Sequence, residues 1–244
     1  MDNQIPSWLT KTPIAHRGLH QRDTQYLENS IPAFEHAIKK GYAIELDVQM
    51  GADKTLFVFH DESLKRICNL DRKLCELNIQ QVDLVRLAKS DYKIPTLKEV
   101  LDVTNGKVPL LIEIKQWVKV NEDLYSIVNA LLPYKGPYAI QSFNPKILGW
   151  FYKNAPHIVR GQLSASFKKE PMNAVLKYLL RKCMLNFISK PNFISYEASE
   201  LSQKWLQHKR RSGKPVLGWT VTNSQAYQEI NGLCDNIIFE DFMP

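Results

Sequence analysis

Short aliphatic and β-branched runs alternate with longer amphipathic stretches along all 244 residues, and this alternation constrains the fold more than any other feature. Strands are expected at Pro13–Arg17, Ala43–Gln49, Thr55–His60, Leu110–Lys115, Tyr138–Phe143, Ile158–Leu163, Phe193–Glu197, Val216–Val221 and Asn236–Glu240. Helices are expected from the N-cap Ser30 through Ile38, and over Thr96–Val103, Asn121–Leu132, Asn144–Asn154, Ala174–Leu185, Ser199–Arg211 and Ser224–Asn231. Strands alternating with helices argue for an α/β protein with a parallel sheet. The second and third runs are separated only by Val48–Lys54, whereas a parallel crossover needs about a dozen residues, so they form a hairpin. Setting its return arm aside leaves eight parallel strands, the number that closes a (β/α)8 TIM barrel. The hairpin and a small insertion over Glu62–Lys93 are then expected above the C-terminal face of the barrel, with residues 1–244 forming one domain.

Composition narrows the function classes. An apolar fraction of 44%, with 10 Gly and 13 Pro, excludes a disordered or fibrous chain. No apolar stretch approaches the ~18 residues of a membrane span. Met1-Asp2-Asn3-Gln4-Ile5-Pro6 has neither the basic start nor the apolar core of a secretory signal, so a cytoplasmic location is expected. Cys68, Cys75, Cys183 and Cys234 contain no C-x-x-C pair and read as free, mostly buried thiols. The net charge of +7 suits an anionic ligand or surface. His208-Lys209-Arg210-Arg211 falls in a helix's last turn, where cations favour the dipole; no basic groove accompanies it, so no nucleic-acid partner is expected. Serine-hydrolase elbows and phosphate-cradling glycine loops are also lacking in the sequence.

The chemistry gathers where charged residues interrupt apolar strands. In Ile44-Glu45-Leu46-Asp47-Val48, the two carboxylates share one face because alternate strand residues point the same way. Glu113 and Lys115 do the same in Leu111-Ile112-Glu113-Ile114-Lys115. A carboxylate among aliphatics is costly unless it is paired or bound to metal. Salt bridges between neighbouring strands are one solution, but three carboxylates against one lysine favour a central cation. An all-oxygen donor set selects one hard divalent ion, Mg2+ or Ca2+, with Mn2+ a further candidate. Histidines stand at two strand ends, in Ala15-His16-Arg17-Gly18 and Phe57-Val58-Phe59-His60-Asp61. A turn centred on Asp53-Lys54 would set Asp47 opposite His60, within cross-strand reach.

These residues belong to a longer series: His16-Arg17-Gly18; Glu28-Asn29-Ser30 with Ala33-Phe34; Glu45-Leu46-Asp47-Val48; Val58-Phe59-His60-Asp61; Glu113-Ile114-Lys115; Gln141-Ser142-Phe143; and Gly218-Trp219-Thr220-Val221. In that order they resemble the signature of the glycerophosphodiester phosphodiesterase family, whose members are phosphodiesterase barrels related to phosphatidylinositol phospholipase C. The resemblance implies His16 and His60 as an acid/base pair, and Glu45, Asp47 and Glu113 as ligands of the divalent cation. It also implies phosphate contacts from Arg17 and Lys115, and an apolar wall for glycerol carbons from Trp219, a residue that could equally pack the barrel mouth. Gln141 and Phe143 are further substrate-binding candidates.

The implied reaction hydrolyses a small anionic glycerophosphodiester to glycerol 3-phosphate and an alcohol. The residue types agree with it independently. A phosphodiester repels nucleophiles, so cations must neutralise its oxygens while one group takes a proton and another gives one. Histidine titrates in the range for both tasks. The resemblance implies attack by the glycerol 2-hydroxyl through a cyclic phosphate, and the residues do not separate that route from direct attack by water.

Departures from the family pattern fall elsewhere: Leu27 replaces a proline, Lys54 a turn glycine, and Glu240 an aspartate. Two other readings use the same residues: a lysophospholipase D, and a non-catalytic barrel binding phospholipid headgroups. Retention of both histidines, three carboxylates, Arg17 and Lys115 argues against the second. The segment Phe167–Ile188 lies outside the signature. It is expected to pack as a helix with Lys177, Arg181 and Lys182 solvated, the alternative being a lid that meets an acyl chain or makes peripheral contact with an anionic membrane.

Overall fold

In the computed structural model, which describes residues 4–21, 25–120, 122–168 and 170–244, each of the expected apolar runs extends into a strand. The chain order is α1 (Trp8–Lys11), β1 (Ile14–Ala15), α2 (Ile31–Lys40), β2 (Ala43–Met50), β3 (Leu56–Val58), α3 (Lys65–Cys68), α4 (Ile79–Val82), α5 (Leu97–Thr104), β4 (Leu110–Ile114), α6 (Glu122–Leu131) and β5 (Tyr138–Ser142). It continues with α7 (Pro145–Asn154), β6 (Arg160–Ser164), α8 (Ala174–Arg181), α9 (Asn186–Ser189), β7 (Phe193–Glu197), α10 (Lys204–Arg211), β8 (Val216–Val221), α11 (Ser224–Glu229) and β9 (Asn236–Phe239). Asn121, the expected first residue of α6, and Met1–Asn3 lie outside the described residues.

Local chemistry explains the helix boundaries. Ser30 Oγ accepts the Ala33 N–H at 3.4 Å, Pro32 sits in the first turn, and Gly41 closes α2 in the left-handed region at φ 73°. Thr96 and Glu99 exchange hydrogen bonds at the start of α5, a reciprocal capping box. The expected Ser199–Arg211 helix begins only at Lys204, after a 3-10 turn over Ala198–Glu200.

The chain divides into two compact units, Ala15–Tyr138 and Met1–Ile14 with Ala139–Pro244. In the first, β2 runs parallel to β4 and antiparallel to β3. Every residue of β2 and β4 is buried, as parallel strands covered on both faces require. Residues 62–93 carry their own apolar cluster: Leu64, Leu74, Leu77, Val82, Val85 and Leu87 pack with Phe57 and Phe59 of the hairpin arm. In the second unit, β5 to β9 lie side by side in chain order, all parallel.

Two expectations need correction. The hairpin pairs Val48 with Val58, Gln49 with Phe57 and Met50 with Leu56, so its turn centres on Asp53 and Phe59, not His60, lies opposite Asp47. The cause is a three-residue loop, closed by Gly51 N–H donating to Thr55 O at 2.9 Å, with Lys54 held at φ 68°. The second correction concerns α8, which ends at Arg181, four residues early, with Cys183 at φ 49° before α9. Its apolar residues face outward: Val175 is 67% exposed, Leu176 42% and Tyr178 57%, with Met184 at 52% and Phe187 at 67% beyond it. Arg181 and Lys182 instead turn inward to Glu200 and Gln203. Among the thiols, Cys183 is buried, Cys68 and Cys234 are half-buried and Cys75 is exposed, all of them free.

Candidate functional site

Strand register brings the charged residues of the 15–138 unit together. The β2–β4 pairing sets Asp47 beside Glu113, and Glu45 lies on the same face two residues earlier. All three are buried, and each offers an oxygen within 4.8 Å of the others. Lys115 follows β4 and places Nζ 2.7 Å from Glu113 and 3.1 Å from Asp47. Arg17 follows β1; its backbone N–H donates to Glu45 Oε2 at 3.1 Å, and its Nε lies 3.6 Å from Asp47. Arg17 reaches this position with φ 54°, beside Gly18 at φ 81°, where a Cβ would fall 2.9 Å from Phe34.

Burial and charge divide the carboxylates. Burial would raise Asp47, but Lys115, His60 and Arg17 hold it well below its usual range, helped by Asn29 Nδ2 at 2.8 Å. Burial also pushes Glu45 well above its usual range, and repulsion from Asp47 and Glu113 adds to it. Glu113 is raised by burial against the pull of Lys115. Further positive charge among these carboxylates would offset that burial and repulsion. Oxygens sharing a hard cation sit about 2.0–2.6 Å from it and hence within about 5.2 Å of one another, so the spacing of these three carboxylates suits one hard divalent cation.

His60 stands just beyond β3. Gln49 Nε2 donates to Phe59 O at 2.7 Å and to Asp61 O at 2.9 Å, which draws the chain out of the ladder there. His60 Nδ1 lies 2.7 Å from Asp61 Oδ1. Arg66, from α3 of the insertion, grips two carboxylates at once. Its Nε and Nη2 lie 2.5 and 3.0 Å from Asp61, and its Nη1 and Nη2 lie 2.8 and 2.7 Å from Glu28. Glu28 in turn accepts from Arg17 Nη1 at 2.9 Å. Asp61 is held below its usual range against the effect of burial, by its bond to His60 and by Arg66. His16, directly before Arg17, is half-buried, with its ring 6.5 Å from that of His20.

Gln141, Phe143 and Trp219 belong to the other unit. Gln141 is buried and its Oε1 accepts from Ser195 Oγ at 2.8 Å, an engagement within the sheet. Phe143 meets Trp219 edge-on at 5.6 Å and Phe167 at 5.9 Å. The Trp219 Nε1 is buried without a hydrogen-bond partner, so its indole has an unused donor.

Several residues of this constellation were missed. Gln49 continues the face of Glu45 and Asp47, so the period of two could have found it. Asn29, Glu28 and Asp61 sit inside recognised motifs, but their partners are tertiary. Nothing in the sequence marks Arg66.

Residues 16–243 match the glycerophosphoryl diester phosphodiesterase family. The glycerophosphodiester phosphodiesterase of Caldanaerobacter subterraneus subsp. tengcongensis is 28% identical over 244 residues, covering 93% of each chain. A glycerophosphodiester phosphodiesterase structure from Thermotoga maritima superposes with a TM-score of 0.71 at 24% identity, over 93% of this chain and 94% of that one. A phosphodiesterase from Oleispira antarctica, solved with its product sn-glycerol-3-phosphate, gives 0.78 at 21% identity, over 96% and 94%. These likenesses show the fold class: an α/β, TIM-barrel-like closed barrel of eight parallel strands with an extra strand.

Proposed function

Since the chain belongs to the glycerophosphoryl diester phosphodiesterase family, a family of phosphoric diester hydrolases, we propose that it releases glycerol 3-phosphate from a glycerophosphodiester by metal-dependent His/His acid–base catalysis. The observation that carries this reading is the buried cluster of Glu45, Asp47 and Glu113 with Lys115 and Arg17 against it. Glu45, Asp47 and Glu113 would hold one Mg2+ or Ca2+. Such an ion supplies Lewis-acid stabilisation of the phosphoryl oxygens. The catalytic domain is residues 1–244, with 62–93 inserted, and we place it in the cytoplasm.

The chain's own residues divide the remaining work. An ammonium has three donors. Lys115 directs two at Asp47 and Glu113, leaving the third for a phosphoryl oxygen, while Arg17 supplies a second cation. A neutral His60 that donates from Nδ1 to Asp61 keeps its lone pair on Nε2, which makes it the proton acceptor. The attacking oxygen, of the glycerol 2-hydroxyl or of water, gives its proton to that nitrogen as it bonds to phosphorus. The bond to the leaving alcohol breaks, and a protonated His16 gives its proton to the departing oxygen. Where the 2-hydroxyl attacks, water then opens the cyclic phosphate with the two histidines in exchanged roles. Asp61 then steadies the imidazolium, as the orienting carboxylate of a catalytic triad does. Trp219 and Phe143 would bound the glycerol carbons.

The test is glycerol 3-phosphate release from glycerophosphocholine, before and after EDTA. His16→Ala and His60→Ala should each lower kcat by about 10²–10⁴-fold. Near-normal turnover in either variant removes that residue from the mechanism, and full activity after EDTA removes the metal. Faster turnover of lysophosphatidylcholine would reassign the enzyme as a lysophospholipase D.

A further inference from the structure

The helix α8 is built inside out. Several polar groups fix its C-terminal end to the rest of its unit. Ser164 Oγ donates to Leu180 O at 2.8 Å and the Tyr196 hydroxyl to Arg181 O at 2.9 Å. Arg181 Nη2 reaches Glu200 at 3.0 Å; Lys182 Nζ reaches Gln203 at 3.0 Å and lies 5.5 Å from the centre of the Trp205 ring. At 3.6 residues per turn, Val175, Tyr178 and Leu179 share one stripe with Leu176 beside it, opposite the side carrying Lys177 and Arg181. Beyond the break at Cys183, Met184 and Phe187 are exposed as well.

We propose that this face docks onto an anionic lipid bilayer, with Val175, Leu176, Tyr178, Met184 and Phe187 entering its interfacial layer. Three observations favour a bilayer over a second protein. Between Pro171 and Lys190 the sequence has four cations (Lys177, Arg181, Lys182 and Lys190) and no acid. Two copies, each carrying +7, would repel, whereas anionic headgroups attract this charge. A stable protein interface draws about 20–30 residues from each side, far more than this patch offers. An amphipathic helix with aliphatic and tyrosine side chains outward, in a segment of net positive charge, is the form that lies in the plane of a membrane interface. No described helix is long and apolar enough to cross a membrane, so the contact is peripheral. This inference is independent of the phosphodiesterase reading, because vesicle binding requires no turnover.

The experiment is co-sedimentation of the full chain with phosphatidylcholine vesicles, with and without phosphatidylglycerol. Binding should require phosphatidylglycerol and weaken at high salt. The triple variant Val175→Ser, Leu176→Ser, Phe187→Ser should bind at least about tenfold more weakly, because it removes apolar surface that the bilayer would bury. Its activity on soluble glycerophosphocholine and its Tm should be unchanged. In the wild type, vesicles should slow amide exchange over residues 174–189. Three results would each overturn the proposal: no binding to phosphatidylglycerol vesicles, undiminished binding of the triple variant, or a wild-type dimer that the triple variant dissociates.

Discussion

Residues 62–93 and 167–190 are both excursions between strands, yet they handle apolar surface in opposite ways. The first turns its leucines and valines inward, onto Phe57 and Phe59, and sends a charged arm, Arg66, to Asp61 and Glu28. The second turns Arg181 and Lys182 inward and leaves valine, leucine, tyrosine and phenylalanine in the open. Each is amphipathic, so amphipathicity by itself does not say which face goes in. The neighbour decides. Next to the insertion lies an aromatic hairpin arm, whereas α8 meets Ser164, Tyr196, Glu200 and Gln203, which offer hydroxyls, a carboxylate and an amide.

The contrast can be broken most forcefully in the insertion's core. Leu74→Ala removes a fully buried side chain and should cost about 2–5 kcal/mol in urea denaturation. A smaller loss would mean that the 62–93 cluster contributes little to folding.

Arg66→Met comes next. It should lower kcat on glycerophosphocholine by about 10–100-fold, the range for outer-shell partners of a site, with KM little changed. Arg66→Lys should rescue only in part, since an ammonium cannot hold two carboxylates bidentately. An unaltered kcat would make the insertion a separate module with no hold on His60.

The same network has a pH signature. Asp61 and Glu28 are both held below their ordinary values, by partners that outweigh burial, among them Arg66. Their contribution to stability is therefore complete above the unfolded values of about 3.9 and 4.3, and is lost as pH falls through the lower folded values. Arg66→Met should bring that loss to higher pH, read as earlier amide exchange over residues 62–93 during acid titration. Coincident profiles for variant and wild type would break the link.

The smallest effect belongs to α8. Leu176→Ala should change stability by no more than about 0.5 kcal/mol, as exposed substitutions do. A loss near that of Leu74→Ala would show the two excursions to be built alike.

Legibility in the sequence follows the same physics. β7 and β8 begin and end where their apolar runs do, and α2 and α5 where their capping residues stand. The acidic cluster was legible because a period of two forces Glu45 with Asp47, and Glu113 with Lys115, onto common faces. The hairpin register was not, because Lys54 takes φ > 0 both in a type I′ turn over Asp53-Lys54 and in the observed three-residue loop, so its residue type does not separate them. The direction of α8 and the reach of Arg66 depend on residues distant in sequence, which no local pattern encodes. Trp219 and Phe143 were named from their motifs, and the edge-on contact between them emerged only in three dimensions.

Lys115 bears on how the protein matures. Where ligands are held together only by their ion, a chain cannot finish folding until the cell supplies that ion. Here an ammonium built into the sequence bridges Asp47 and Glu113, so the strands can close around their acidic centre with a counter-charge that arrives from the ribosome. Any ion the carboxylates take up then reaches a completed protein. On the proposed metal-dependent reading, synthesis and activation are separate events, and the supply of divalent ions would govern the second without jeopardising the first.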